Sequence, residues 1–369
     1  MNQKFDTDVL IVGGGPAGLA AAIAARQRGF DVLVADSAVP PIDKACGEGL
    51  MPDCRDALAD LGVSLDGCET AKFSGIRFIG RQHSVAARFP RGEGLGIRRI
   101  HLHSALLESA ARLGVKMQWG TRVTFAEGTA VLAGESRIRW RWMIGADGEN
   151  SQVRKWAGLG RGRQYDRRIG LRRHYSIAPW SDCVEVYWGE EGQAYVTPVA
   201  GDRVCVALIS RQSTDFDSGL AAFPELAHRL RNSNAGRVKG SVTASRRLKS
   251  VYRGNVALIG DASGSVDAVT GEGMAMSFRQ AIALSDALVA DNLALYQAAH
   301  SRIARLPGWM SRGMLLMDKS SLLRRRTIRA LASDPGLFAQ LLSLHVGELR
   351  PASFLGRGIL ELGWQMLRA

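Results

Sequence analysis

Val9-Leu10-Ile11-Val12-Gly13-Gly14-Gly15-Pro16-Ala17-Gly18 sits near the start of the chain and sets its architecture. A short apolar run leads straight into a glycine turn, and an alanine-rich segment, Ala17 to Arg28, follows with helical composition. A second apolar run, Val32 to Ala35, ends in Asp36. Strand, turn, helix and strand at this spacing predict a parallel βαβ unit. In such a unit Gly13 permits the tight turn, and Gly15 lets the backbone approach a pyrophosphate. Gly18 lets the helix pack on the strand, while the helix N-terminus offers free N–H groups to phosphate oxygens. Asp36 lies roughly 20 residues past the turn, where an acid grips a ribose hydroxyl pair.

The chain has 369 residues, 46% hydrophobic and 22% charged. That is an ordinary globular balance, long enough for about two or three domains and a core around a dinucleotide-sized ligand. The opening segment, Met1 to Asp8, is short and polar, so no secretory signal is expected. No apolar run approaches the roughly 18 residues of a membrane span. Cys46, Cys54, Cys68, Cys183 and Cys205 form no CxxC pair and no metal-ligand spacing with histidine, so reduced thiols in a cytoplasmic protein without a metal are expected. The formal charge of +13 includes the late run Arg324, Arg325, Arg326 and Arg329. With no recognition helix, zinc finger or aromatic platform beside it, that charge does not read as nucleic-acid binding. A solvated basic face and a membrane-surface role both remain open.

A second helix fits Leu102 to Leu113. From about Ile169 to Ile209 the pattern turns to β-branched alternation, with Val184, Val186, Tyr187, Tyr195, Val196, Val204, Val206 and Leu208 between turns at Gly189, Gly192 and Gly201. An antiparallel sheet inserted between nucleotide-fold pieces is expected there. Strand, glycine turn and a long helix, Met274 to Ala290, return after Val256, and the last seventy or so residues read as helical.

Two further motifs complete a set. Gly145-Ala146-Asp147-Gly148 runs on to Ser151 and Arg154; Ile259-Gly260-Asp261-Ala262 runs on through Asp267 to Thr270-Gly271-Glu272-Gly273. With the first glycine turn, in this order, they resemble the flavoprotein superfamily of geranylgeranyl reductases and aromatic hydroxylases, over about the first 300 residues. The resemblance implies FAD as cofactor. Gly13, Gly15, Ala17, Gly18, Asp36 and Ser37 would then hold its ADP half, with Val123 at the adenine. Arg99 would contact the phosphate or ribityl region, though His103 stands where the family has an acid. Asp261 would accept a ribityl hydroxyl, and the helix after Gly271, with Gly273 and Met274, would point its N–H groups at the flavin. Asp147 either borders the pyrophosphate groove, where the family links it to nicotinamide nucleotide use, or caps a helix.

Lys44-Ala45-Cys46-Gly47-Glu48-Gly49 and the Thr270–Gly273 segment look like the geranylgeranyl reductase branch, placing Lys44, Cys46 and Gly47 against the flavin. Cys46 is then a redox or proton-donating thiol, or a small packed side chain. Glu272 relays protons, or faces solvent from the first helical turn. Two departures stand against the branch: Ala268 replaces its proline, and its aromatic pocket motif survives only as Tyr195-Val196-Thr197-Pro198-Val199. Tyr195 and Pro198 are the candidate substrate-pocket residues, and Tyr195 alternatively serves sheet packing.

The expected fold is α/β, a three-layer Rossmann-like FAD domain (residues 1–75, 98–160 and 250–300). An inserted antiparallel-sheet substrate domain (76–97 and 161–249) and a helical C-terminal region (301–369) complete it. The expected chemistry has NADPH or NADH reduce FAD, which then acts on a hydrophobic small molecule. Reduction of a carbon–carbon double bond in an isoprenoid or polyketide lipid competes with oxygen-dependent hydroxylation of an aromatic or polyketide substrate. A non-catalytic FAD-binding protein at a membrane surface is the third reading. For that surface, Met310, Met314 and Met317 form an apolar stripe flanked by Arg312, Lys319 and Arg324 to Arg326. Phe354, Leu355, Ile359, Leu360, Trp364 and Leu367 offer a second apolar helix. Both helices alternatively pack on the FAD domain.

Overall fold

A computed structural model of the chain describes residues 5–126, 129–132, 137–212, 215–354 and 358–368. The strand Thr7–Val12 lies inside a six-stranded sheet, between Trp140–Gly145 on one side and Val32–Asp36 on the other. Lys116–Trp119 extends the sheet beyond Val32–Asp36; Val256–Leu258 and then Tyr252–Arg253 extend it beyond Trp140–Gly145. All pairings are parallel except that last one.

The apolar run around Val9 is continuous because both faces of the sheet are covered. Val9 and Ile11 pack with the helices Pro16–Gln27, Arg99–Arg112 and Gly273–Val289. Leu10 and Val12 face the other way, against Phe125 and Ile138 of a three-stranded meander and Val153 of the short helix Gln152–Trp156. Helices, parallel sheet and meander are the three layers. Alanines along Pro16–Gln27 are buried and let that helix lie close on Gly273–Val289.

Over one end of this domain stands a nine-stranded, largely antiparallel sheet. Its centre is Gly162–Ser176, Arg203–Ser210, Gly192–Ala200 and Cys183–Trp188, the region whose alternation predicts an inserted sheet. Gly75–Ile79 joins the same sheet parallel to Cys183–Trp188 and carries Ser84–Arg88 at its edge. Gly94–Ile97 instead pairs with Gly49–Leu50 and Thr70–Phe73 in a small sheet between the domain and its roof.

The C-terminal region is helical among the described residues: Arg305–Lys319, Ser321–Ser333, Pro335–His345 and Ile359–Arg368 are its longer helices. The first touches the turn Ala268–Thr270, and the next two pack on Ser84–Arg88. The methionine stripe therefore turns inward: Met317 is buried, Met314 packs on the roof core, and both line an internal cavity with Met310. Arg324 is also buried, donating to the Met317 and Asp318 carbonyls at the end of the preceding helix. Leu355 lies outside the described residues, as do the side chains of Ile359 and Leu367.

Candidate active site

The first glycine turn is shaped by contacts that tolerate no side chain. Gly13 has φ 111°, and a Cβ there would lie 2.4 Å from the Ala146 carbonyl oxygen. A Cβ on Gly18 would lie 1.9 Å from the Gly13 oxygen, so Gly18 serves packing and stays off the cavity wall. Gly15 is different: its missing Cβ points into open space, inside the cavity, at the N-cap of the helix. Asp36 braces the turn by accepting from the Gly14 and Ala38 N–H groups at 2.6 and 2.8 Å. Asp36 and Ser37 both remain on the cavity wall, where spare carboxylate lone pairs suit a ribose. His103 is fully buried and holds the Gly14 carbonyl through Nε2 at 2.9 Å. Burial lowers its pKa, so the ring is a neutral Nε2–H donor.

The second and third motifs are fastened together. Asp147 caps the helix Gln152–Trp156, accepting from Ser151 Oγ and from the Gln152 and Val153 N–H groups at 2.6 and 3.1 Å. It also lines the cavity. Arg154, 3% exposed, donates to the Ala262 carbonyl at 3.0 Å and to the Glu149 carbonyl. Asp261 pairs with Lys44 at 2.8 Å. Burial pushes its carboxyl up, but the Lys44 ammonium, with Arg99 and Arg154, outweighs that and holds it below the usual range. Arg99 lines the same wall, and its buried Nε has no protein partner.

Lys44, Cys46, Gly47, Gly271, Gly273 and Met274 line the cavity, as does Val123. Gly271 is left-handed at φ 72°, which ends the Ala268–Thr270 turn and starts the 17-residue helix Gly273–Val289. Cys46 is half-buried, with Sγ accepting from the Glu48 N–H at 3.4 Å. Glu48, with its φ of 60°, is a buried knot absent from the sequence reading. It accepts from the Arg99 N–H at 3.0 Å and meets His174 Nε2 at 2.6 Å. The ligand atoms of Glu48, His174 and Cys205 lie within 4.8 Å of one another, but Arg172 already supplies positive charge there.

Two expectations need correction. Glu272 does not face solvent: it is 4% exposed, off the cavity wall, and beside His345 at 3.7 Å. Pro198 does not line the cavity. Along Gly192–Ala200 successive side chains alternate, so Tyr195 and Thr197 face the cavity while Val196 and Pro198 turn to the outer face. Tyr195 donates its hydroxyl to the Val269 carbonyl at 3.0 Å, tying the roof to the Ala268–Thr270 turn.

All these walls belong to one cavity of 1690 Å³. That exceeds the roughly 300–1,000 Å³ of a single-ligand pocket. It runs from the glycine turn, past Cys46, to an end walled by Phe73, Phe78, Val184, Val186, Met314 and Phe338. The residues fit FAD: open space at Gly15 for a pyrophosphate, the unpartnered Arg99 Nε for its charge, and a helix start at the far segment. Fold and site therefore define a flavin-dinucleotide oxidoreductase. Residues 6–294 match the family described as FAD binding domain, and the chain belongs to that family.

It is similar to menaquinone reductase of Mycobacterium tuberculosis, 27% identical over 303 residues, covering 74% of each chain. It is also similar to ubiquinone hydroxylase of Rhodospirillum rubrum, 27% identical over 385 aligned positions, 96% of this chain and 86% of the relative. Among solved structures, a flavoprotein/dehydrogenase from Cytophaga hutchinsonii superposes with a TM-score of 0.81 at 18% identity, covering 98% of this chain and 100% of that one. The likeness at that identity concerns the fold.

Proposed function

We propose that this FAD-dependent oxidoreductase takes electrons from NADPH or NADH and reduces a double bond in a hydrophobic, quinone-like or isoprenoid molecule. The observation that carries it is the continuity of the cavity. The wall bearing Cys46 and Gly271 opens directly onto the apolar end under the roof. FAD, when bound, supplies a two-electron donor there. The chain's own contribution is to hold its phosphates at Gly15 and Arg99, to roof the site against water, and to wall an apolar substrate. Both relatives named above act, by name, on a quinone, which supports that substrate class. Hydroxylation is the second reading, favoured by the relative that matches nearly the whole chain.

The deciding experiment reduces the holoenzyme anaerobically with each nicotinamide nucleotide and adds a prenylated naphthoquinone. A product that gains two hydrogens without oxygen present is expected. A product formed only in air and carrying an oxygen atom selects hydroxylation. Failure of both nucleotides to bleach the flavin overturns the donor assignment.

An anionic bilayer is the source we propose for such a substrate. Leu316, Leu322, Leu360 and Trp364 are exposed on the C-terminal helices, Arg325 and Arg326 are exposed among them, and Leu316, Leu362 and Met366 line the cavity. Each basic residue near such a surface adds on the order of 1 kcal/mol. No helix among the described residues is long and apolar enough to cross a membrane, so surface binding is the form expected. Co-sedimentation with phosphatidylglycerol vesicles at low salt, weakened by high salt and by Leu360→Asp with Trp364→Asp, is the expected result. Absence of binding at low salt rejects it.

A further inference from the structure

A group of buried titratable side chains lies directly behind the flavin-facing turn. Glu272 precedes the helix Gly273–Val289, and its buried Oε2 has no hydrogen-bond partner. His345, at the end of Pro335–His345, is 8% exposed, lines the cavity, and has an unpartnered Nδ1 3.7 Å from that oxygen. The backbone of Thr270 hydrogen-bonds the ring. Beyond Glu272 lies Asp53, on the helix Pro52–Asp60, paired with Arg279 at 2.5 Å. The Arg279 side chain is 37% exposed, so this pair reaches the surface. Cys54, buried beside Asp53, completes the set.

We infer that His345 and Glu272 form a proton-transfer pair that serves the cavity at the Thr270–Gly271 turn, with Glu272 resupplied from solvent on the side of Asp53. The protonation states suit the task. Burial, and then the Asp53 charge, raise the Glu272 carboxyl well above its ordinary range, which favours its protonated form. Burial lowers His345, so its ring is neutral with a free lone pair on Nδ1. When electrons enter the cavity, the added negative charge favours an imidazolium beside it. The Glu272 O–H bond then breaks, its proton passes to His345 Nδ1, and the proton on the ring's other nitrogen leaves the Thr270 backbone for an acceptor in the cavity. The balance for a double bond or a quinone is two electrons and two protons. FAD, when bound and reduced, would provide the electron pair with one proton; His345 would supply the other proton. Solvent reprotonates Glu272.

The acceptor rests on the proposed reduction, but the proton pair can be tested without any substrate. The midpoint potential of the FAD-loaded protein is measured against pH. Wild type is expected to take up an extra proton per electron pair; His345→Gln and His345→Asn are expected to lose it, so the slope falls by about half. An unchanged slope in both variants overturns the pair. In a second measurement the pre-reduced holoenzyme is mixed anaerobically with menadione. Glu272→Gln, isosteric with the protonated acid, is expected to slow its reduction by about 10²–10⁴-fold. An undiminished rate overturns the role of Glu272, while loss of menadione reduction in wild type speaks only against the substrate class.

Discussion

A Gly15→Val variant is expected to fold, purify without yellow colour and bind no FAD. Other glycines of the turn would test folding and binding together, because a side chain on Gly13 or Gly18 meets backbone within 2.4 Å. At Gly15 the new atoms point into open cavity, so the folded chain has room for them. The pyrophosphate does not. Close approach of the backbone to phosphate is the purpose of that glycine, and the helix N-terminus loses its ligand when valine stands before it. Circular dichroism should match wild type while FAD titration shows no saturation. Full occupancy in the variant would contradict the placement of the phosphates.

The second large effect is on stability. Arg168, Asp267 and Asp318 have fully buried side chains, and Arg168 bonds Asp267 through Nε at 3.1 Å and through Nη2. Its Nη1 donates to Gln193 Oε1 at 2.7 Å and lies 3.5 Å from Asp318. Gln193 and Arg211 in turn donate to Asp318. One guanidinium thus joins the roof, the turn before Gly271 and the first C-terminal helix. Arg168→Met leaves Asp267 buried without its cation and leaves Asp318 with Arg211 alone. Breaking a buried pair costs about 3–5 kcal/mol, against a total stability of roughly 5–15 kcal/mol for a native protein. The urea midpoint is expected to fall accordingly. Arg168→Met combined with Asp267→Asn should recover part of the loss, because one stranded charge is removed. A midpoint within error of wild type would overturn this role for Arg168.

What was legible in the sequence was local. The turn at Gly13 to Gly18, the acid at Asp36 and the helix from Gly273 each announce themselves within a few residues, since turn, cap and period are short-range properties. Lys44 and Asp261 were legible as separate motifs, but not as an ion pair. Glu48 with His174, and Glu272 with His345, carry no such mark. Their partners are brought by other strands or helices, and a lone histidine in sequence looks the same whether buried or exposed. Pro198 shows the opposite failure. The segment lies in a strand whose Tyr195 and Thr197 line the cavity, yet strand parity sends alternate residues outward. Arg324 shows how a charge run misleads, since one member turns in to satisfy helix-end carbonyls while its neighbours stay in solvent.

The position of Thr7–Val12 in the middle of the six-stranded sheet also governs how the chain is made. Its neighbour Val32–Asp36 leaves the ribosome soon after it, but its other neighbour, Trp140–Gly145, comes much later, and Val256–Leu258 later still. At about 5–20 residues per second, translation leaves the nascent domain open on that side for on the order of ten seconds before the third motif exists. Until Trp140–Gly145 is made, the apolar strand Thr7–Val12 exposes an unpaired edge, the feature that invites pairing with another molecule. Arg154 cannot reach the Ala262 carbonyl, and Lys44 cannot reach Asp261, until two-thirds of the chain is out. The cofactor therefore joins a nearly finished polypeptide, and chaperone capture of the early βαβ unit is the hazard that this strand order builds in.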